Sequence, residues 1–208
     1  ANRNGNAVVR GLGVSYTKYP QIIDVKWSPT IAWQIALLGL LAGIIALVFV
    51  RLTLFIRGAM KKYVAWSPAR PLIGGILLAI LIGVCGWRDY QGFSFPLMLE
   101  AMNGATTGHF EVKLFLTALT IGTGFVGGEV IPLLATGAMA GALFANLIGA
   151  NVAVFAIVGS VAVLAGAANT PLACTFIGIE LFGGNGAILF ALACIAAYAT
   201  SGHTGIYH

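Results

Sequence analysis

Apolar and polar positions divide the chain into long greasy runs separated by short polar breaks. Ile31–Val50 is a twenty-residue run with one polar interruption, Gln34, and the pattern continues to Phe55. At 1.5 Å per residue such a run spans the roughly 30 Å hydrocarbon core of a bilayer. Arg57–Arg70 reads as a basic loop, with Tyr63 and Trp66 at interface depth. Pro71–Trp87 is a second run, opened by a proline suited to a helix start and closed by Arg88 and Asp89. Gln91–Met102 is short and mixed, which fits a helix lying in the interface. Leu114–Ile121 then leads into a glycine-rich break over Gly122–Gly128. Val130–Gly149, Val152–Ala168, Pro171–Leu181 and Ala187–Ser201 follow.

Composition sharpens the class. Of 208 residues, 59% are hydrophobic and 8% charged, where a soluble domain carries roughly 25% charged residues. From Leu114 to His208 the only formal charges are Glu129 and Glu180. That excludes a soluble enzyme, a nucleic-acid binder and a disordered tail. The chain reads as an all-α integral membrane protein.

The basic residues do not orient it. Arg3, Arg10, Lys18 and Lys26 precede the first run, and Arg51, Arg57, Lys61, Lys62 and Arg70 lie between its end and the next. The two sets are nearly balanced, so the positive-inside rule is silent. Cys85, Cys174 and Cys194 sit singly in apolar runs and read as packing residues, so neither a disulfide framework nor a metal site is expected. No cofactor is expected either. Residues 1–30 are polar, with Asn2, Asn4 and Asn6, and resemble a linker from an upstream half of a longer protein. Residues 31–208 form the membrane portion.

Several runs are too short or too interrupted to be plain spanning helices. Gly122, Gly124, Gly127 and Gly128 lie between two apolar runs. Unpaired backbone at membrane depth costs several kcal/mol per group, so it persists only against protein or a water-filled cavity. Broken helices of this kind mark transporters and channels. Gly39 with Gly43, and Gly137 with Gly141, have the four-residue spacing of close helix packing.

The candidate chemistry is concentrated in Gly122–Leu134. Glycines free the backbone, and Pro132 suits the first turn of the next helix. The amides of Glu129, Val130 and Ile131 would then be open donors at a positive helix end, an anion site or else a simple hinge between packed helices. Gly127 and Gly128 would form the pore loop. Glu129 is either a cap for its own helix or a titratable group on an ion or proton path. Glu180 lies near a segment end, where it is expected to bond loop amides. His203 and His208 read as loop residues.

Four motifs in order carry a family resemblance: Gly127-Gly-Glu-Val-Ile-Pro, Gly137-Ala-Met-Ala-Gly, Ala165-Gly-Ala-Ala-Asn-Thr-Pro-Leu and Ile179-Glu-Leu-Phe-Gly. Together with the upstream Arg70-Pro-Leu-Ile-Gly-Gly, they resemble the CLC family of chloride channels and transporters. The resemblance covers the chain from about Ile31 onward, but only the second half of that family's inverted-repeat fold, with its tilted and broken helices. A Phe usual in chloride-handling members is replaced by Val130, and the carboxylate of Glu129 directly follows the glycines. With the ending Ser201-Gly-His-Thr-Gly-Ile-Tyr207, this is similar to the bacterial fluoride-exporting branch, CLC-F. One departure is Ile131, where that branch often has Thr, which puts a side-chain fluoride contact in doubt.

The resemblance implies fluoride/proton antiport at a bacterial inner membrane, with Tyr207 as a pore tyrosine donating its hydroxyl to the anion. An interfacial aromatic is the alternative for Tyr207. It also implies a homodimer, with Ile31–Phe55 and Pro171–Ala197 at the interface and Gly39, Gly43, Ala173 and Ala193 allowing flat packing. A chloride channel or chloride/proton antiporter is the nearest alternative function. A structural membrane subunit and an intramembrane protease using Ser201 are more distant. A serine nucleophile needs a base from another helix, whereas Ser201 and His203 share one strand of chain and only seven residues follow Ser201.

Overall fold

The first apolar run becomes one long helix. In the computed structural model, which describes residues 20, 28–106, 108–202 and 205–206, Ser28 caps α1 (Pro29–Tyr63). Its Oγ accepts from the Ile31 amide at 3.2 Å, and Pro29 opens the first turn. The helix runs for 35 residues, about 52 Å at 1.5 Å per residue, well beyond the bilayer core. This corrects the expected basic loop over Arg57–Arg70. Arg, Met and Lys are good helix formers, and Lys61 and Lys62 sit favourably at the negative end of the helix dipole. The loop shrinks to residues 64–68.

The remaining elements follow the apolar pattern closely. α2 (Ala69–Cys85) stops at Gly86, whose left-handed conformation (φ 70°) suits glycine. A 3-10 turn over Arg88–Tyr90 leads to α3 (Phe95–Met102), shorter than the expected Gln91–Met102. Ser94, with φ 49°, resets the chain direction just before it. α4 (Phe110–Gly122) is longer than expected and absorbs the first glycine of the break. α5 (Val130–Ile148), α6 (Val152–Ala168), α7 (Pro171–Phe182) and α8 (Ala187–Ser201) lie within a residue of their predicted limits. Among the described residues three stretches are long and apolar enough to cross a membrane: Pro29–Tyr63, Val130–Ile148 and Gly184–Ser201.

α6 is the centre of the fold. It is buried without interruption from Phe155 to Ala167 and touches α1, α3, α5, α7 and α8. Its one polar interior side chain, Ser160, donates to the Ile157 carbonyl at 2.7 Å and so leaves no orphan hydroxyl. Gly137 and Gly141 of α5 lie directly against the backbone of α6 at Gly159 and Phe155. A Cβ on Gly159 would stand 2.7 Å from the Gly137 carbonyl oxygen, closer than contact permits. These two helices make the most extensive contact in the molecule.

The same device joins α1 to α8, which corrects one expectation. Gly39 and Gly43 press on Ala193 and Ala197 of α8, within the same chain, and Ala193 is fully buried. Those small residues are consumed by the internal fold and do not form a flat face toward a second copy. Ala173, by contrast, is exposed. Cys174 and Cys194 are buried among apolar neighbours, while Cys85 is exposed.

Candidate functional site

The glycine break is anchored at its start and open at its end. Gly122 closes α4 against α1: an added Cβ would lie 2.7 Å from the Ile56 Cβ. Thr123 is fully buried, and its Oγ1 donates back to the Leu119 and Thr120 carbonyls at 2.9 and 3.0 Å. Gly74 of α2 packs against that threonine. Gly124, with φ 101°, then swings the chain away. From there to Gly128 the chain is exposed, and an added Cβ at Gly127 or Gly128 would meet nothing within 4 Å.

α5 begins at Val130, with Glu129 as its cap residue. The Glu129 backbone is already helical (φ −87°, ψ −12°) and its side chain makes no capping bond. Asn151, by comparison, caps α6 by accepting from the Val154 amide at 3.2 Å. The capping role weighed for Glu129 therefore does not form. Pro132 has no amide hydrogen, and Leu133 N donates to the Glu129 carbonyl at 3.1 Å. Val130 and Ile131 are left as open amide donors at the positive end of a nineteen-residue helix. Glu129 is partly exposed beside them.

Tyr207, His203 and His208 lie outside the described residues, as do residues 1–19 and 21–27 of the expected linker. The chain just before Tyr207 is firmly held. Ile206 N donates to the Ala167 carbonyl at 3.1 Å. With its amide oriented so that the oxygen faces Gly205 N and the nitrogen faces the Gly202 carbonyl, the Asn169 side chain completes the tie, accepting from Gly205 N at 3.0 Å and donating to the Gly202 carbonyl at 2.9 Å. Ile206 is buried beside Val50, Thr53, Leu54 and Arg57 of α1. Gly122 meets Thr53 and Ile56 of the same helix. The start of the break and the end of the described chain thus pack on one stretch of α1.

Two clefts reach the break. One, of about 730 Å³, runs between α2 and α4 and is lined by Arg88, Lys113, Thr117, Thr120, Gly127 and Gly128. The other, of about 570 Å³, is lined by Arg57, Lys61, Arg70 and the Gly122–Phe125 backbone. Ile121 and Phe125 border both. Among the described residues no acidic side chain lines either one.

Sequence reading singled out neither Lys113 nor Asn169. Lys113 is the last cation before the nearly chargeless half, and its place inside an apolar helix was the available signal. Asn169 lies in a quoted motif, but its left-handed backbone (φ 56°) and distant partners appear only in three dimensions. Glu180 is exposed, and among the described residues its expected bonds to loop amides do not form. No cluster of three or more His, Cys, Asp or Glu able to hold a metal occurs among the described residues.

Comparison with known proteins now fits this geometry. The chain is 37% identical over 206 residues to a chloride/fluoride channel protein of Pseudomonas syringae pv. tomato, covering 94% of this chain and 45% of that relative. Its fold matches the crystal structure of a CLC-type fluoride/proton antiporter with a TM-score of 0.88 and 28% identity, over 97% of this chain and 51% of the other. A slow cyanobacterial Cl⁻/H⁺ antiporter shares the fold, with a TM-score of 0.71 and 21% identity over 96% of this chain and 51% of that one. The chain spans about half the length of the relatives it matches. The sequence pattern of voltage gated chloride channels matches residues 4–202, and the chain belongs to that family, the CLC family.

Proposed function

We propose that this chain forms the second half of an anion pathway that exports fluoride in exchange for protons, in a multi-pass protein of a bacterial inner membrane. The carrying observation is the pair of open amides, Val130 and Ile131, at the positive end of α5 and beside the exposed Gly127–Gly128 backbone. Fixed amides can replace an anion's lost hydration without reorganising, which suits fluoride, the most strongly hydrated halide. The chloride/fluoride channel protein of Pseudomonas syringae and the fluoride/proton antiporter support this reading by their likeness. Glu129, uncapped and beside those amides, is the group we assign to proton linkage. Tyr207 would add a hydroxyl donor, since Ile206 is held at the end of α6.

An upstream half of the same protein would supply the rest of the pore, with residues 1–30 as linker and 31–208 as the second repeat. Pores of this kind are built from two inverted repeats around a midplane site. Pairing into a homodimer would use α7 and α8, where Leu172, Phe176, Ile188 and Ile195 are exposed. The reading is transport rather than catalysis. Ser201, the nucleophile of the protease alternative, turns its hydroxyl back to the Tyr198 carbonyl at 3.3 Å.

The test is efflux from liposomes. The full-length protein is expected to release fluoride in preference to chloride, with proton movement in the opposite direction, while the 208-residue chain alone carries no selective flux. Equal or greater chloride flux would favour the chloride reading, and selective flux through the isolated chain would overturn the half-pore assignment.

A further inference from the structure

The first turn of α4 places a charge where a neutral side chain would pack as well. Lys113 is 2% exposed. Its Nζ donates to the Tyr90 carbonyl at 3.1 Å and to the Gly92 carbonyl. Among the described residues no carboxylate pairs with it, and nearby Glu111 is engaged by His109 Nδ1 at 2.9 Å. A buried cation without a counter-charge is costly, and two neutral carbonyls offset only part of that. An ammonium carries three donors, so one remains.

Holding the loop does not explain the charge. Tyr90 already ties the Arg88–Gly92 turn to the start of α4, because its hydroxyl accepts from the His109 amide at 2.7 Å. The cleft offers an explanation. Lys113, Thr117 and Thr120 follow one another on a single face of α4 and line the same space between α2 and α4. Thr117 and Thr120 spend their hydroxyl protons on the Lys113 and Leu116 carbonyls at 2.8 and 2.7 Å. Along this face Lys113 is therefore the group with a donor to offer an anion. The same cleft ends at Gly127 and Gly128, just before the open amides, and Arg88 lines it as an exposed second cation.

We propose that the Lys113 ammonium holds a small monovalent inorganic anion in the α2–α4 cleft and so sets the rate at which anions reach the Val130 and Ile131 amides. This rests on the anion-transport reading above. A fixed cation in a low-dielectric cleft raises local anion concentration, by roughly tenfold or more. Its effect is largest when the anion is scarce and fades as the pathway saturates.

The experiment measures initial fluoride efflux of the full-length protein in liposomes across a range of fluoride concentrations. Lys113→Met is expected to slow efflux roughly tenfold at low fluoride, with most of the rate recovered near saturation. Arg88→Gln, at an exposed position, should slow it about threefold in the same sense. A folded Lys113→Met variant with an unchanged low-fluoride rate overturns the proposal. If that variant does not fold, Arg88→Gln decides, and a wild-type rate there overturns it. A wild-type protein that passes no anion overturns the transport reading and this inference with it. Normal wild-type flux with unaffected variants overturns this inference alone.

Discussion

The backbone amide of Ile206 donates to the Ala167 carbonyl at 3.1 Å, tying the end of the described chain to the last turn of α6. Helix ends leave carbonyls without partners, and here a segment nearly forty residues downstream supplies one. The tie holds Ile206 against the core at the end of α6.

Asn169 reinforces that tie with two further bonds. Asn169→Gly keeps the left-handed backbone, so the change isolates the side chain. Loss of stability by about 1–3 kcal/mol is expected, together with faster proteolysis after Ser201. Thermal unfolding in detergent and limited digestion measure the two effects.

Gly159 sits where α5 and α6 meet backbone to backbone. Gly159→Ala is expected to destabilise the protein by about 1–3 kcal/mol, because neither helix backbone can yield. Gly58 of α1 is the control, since an added Cβ there meets nothing within 4 Å. Gly58→Ala should stabilise by about 0.5–1 kcal/mol. Unfolding temperatures that move together in the two variants would count against this packing account.

Among the described residues the buried hydroxyl of Thr53 has no partner, in the stretch of α1 shared by Gly122 and Ile206. Thr53→Val removes that hydroxyl and keeps the shape. Stability should rise by about 1 kcal/mol, read as a higher unfolding temperature. A drop would reveal a bonded partner for the hydroxyl in the membrane.

Glu129→Gln keeps size and hydrogen-bonding capacity but cannot release a proton. Its side chain makes no cap, so folding should be unaffected. Fluoride-over-chloride preference and its pH dependence should both fall in liposome flux. An unchanged profile with normal expression would remove Glu129 from the proton path.

Tyr207→Phe should weaken fluoride binding without abolishing it, because the Val130 and Ile131 amides remain. Loss of one hydrogen bond to an anion corresponds to about 1.5–3 kcal/mol, readable by calorimetric titration. Unaltered affinity would return Tyr207 to an interfacial role.

By itself, the sequence determined the helices and the place of the break. Val152–Ala168 and Ala187–Ser201 could be read to the residue, because glycine, proline and polar breaks punctuate long apolar runs. The motif order also pointed to the family before any packing was visible. Other features depended on contacts between distant residues. Local composition made Arg57–Tyr63 look like a loop, yet helix propensity and the dipole carried α1 through it. Gly39 and Gly43 could have packed against any helix, and only the folded chain shows that α8 takes them. The partners of Asn169 lie more than thirty residues away, and the charge of Lys113 gains meaning only when α2 and α4 enclose a cleft beside the break. Periodicity records which residues leave water, while the identity of their neighbours is fixed by tertiary packing alone.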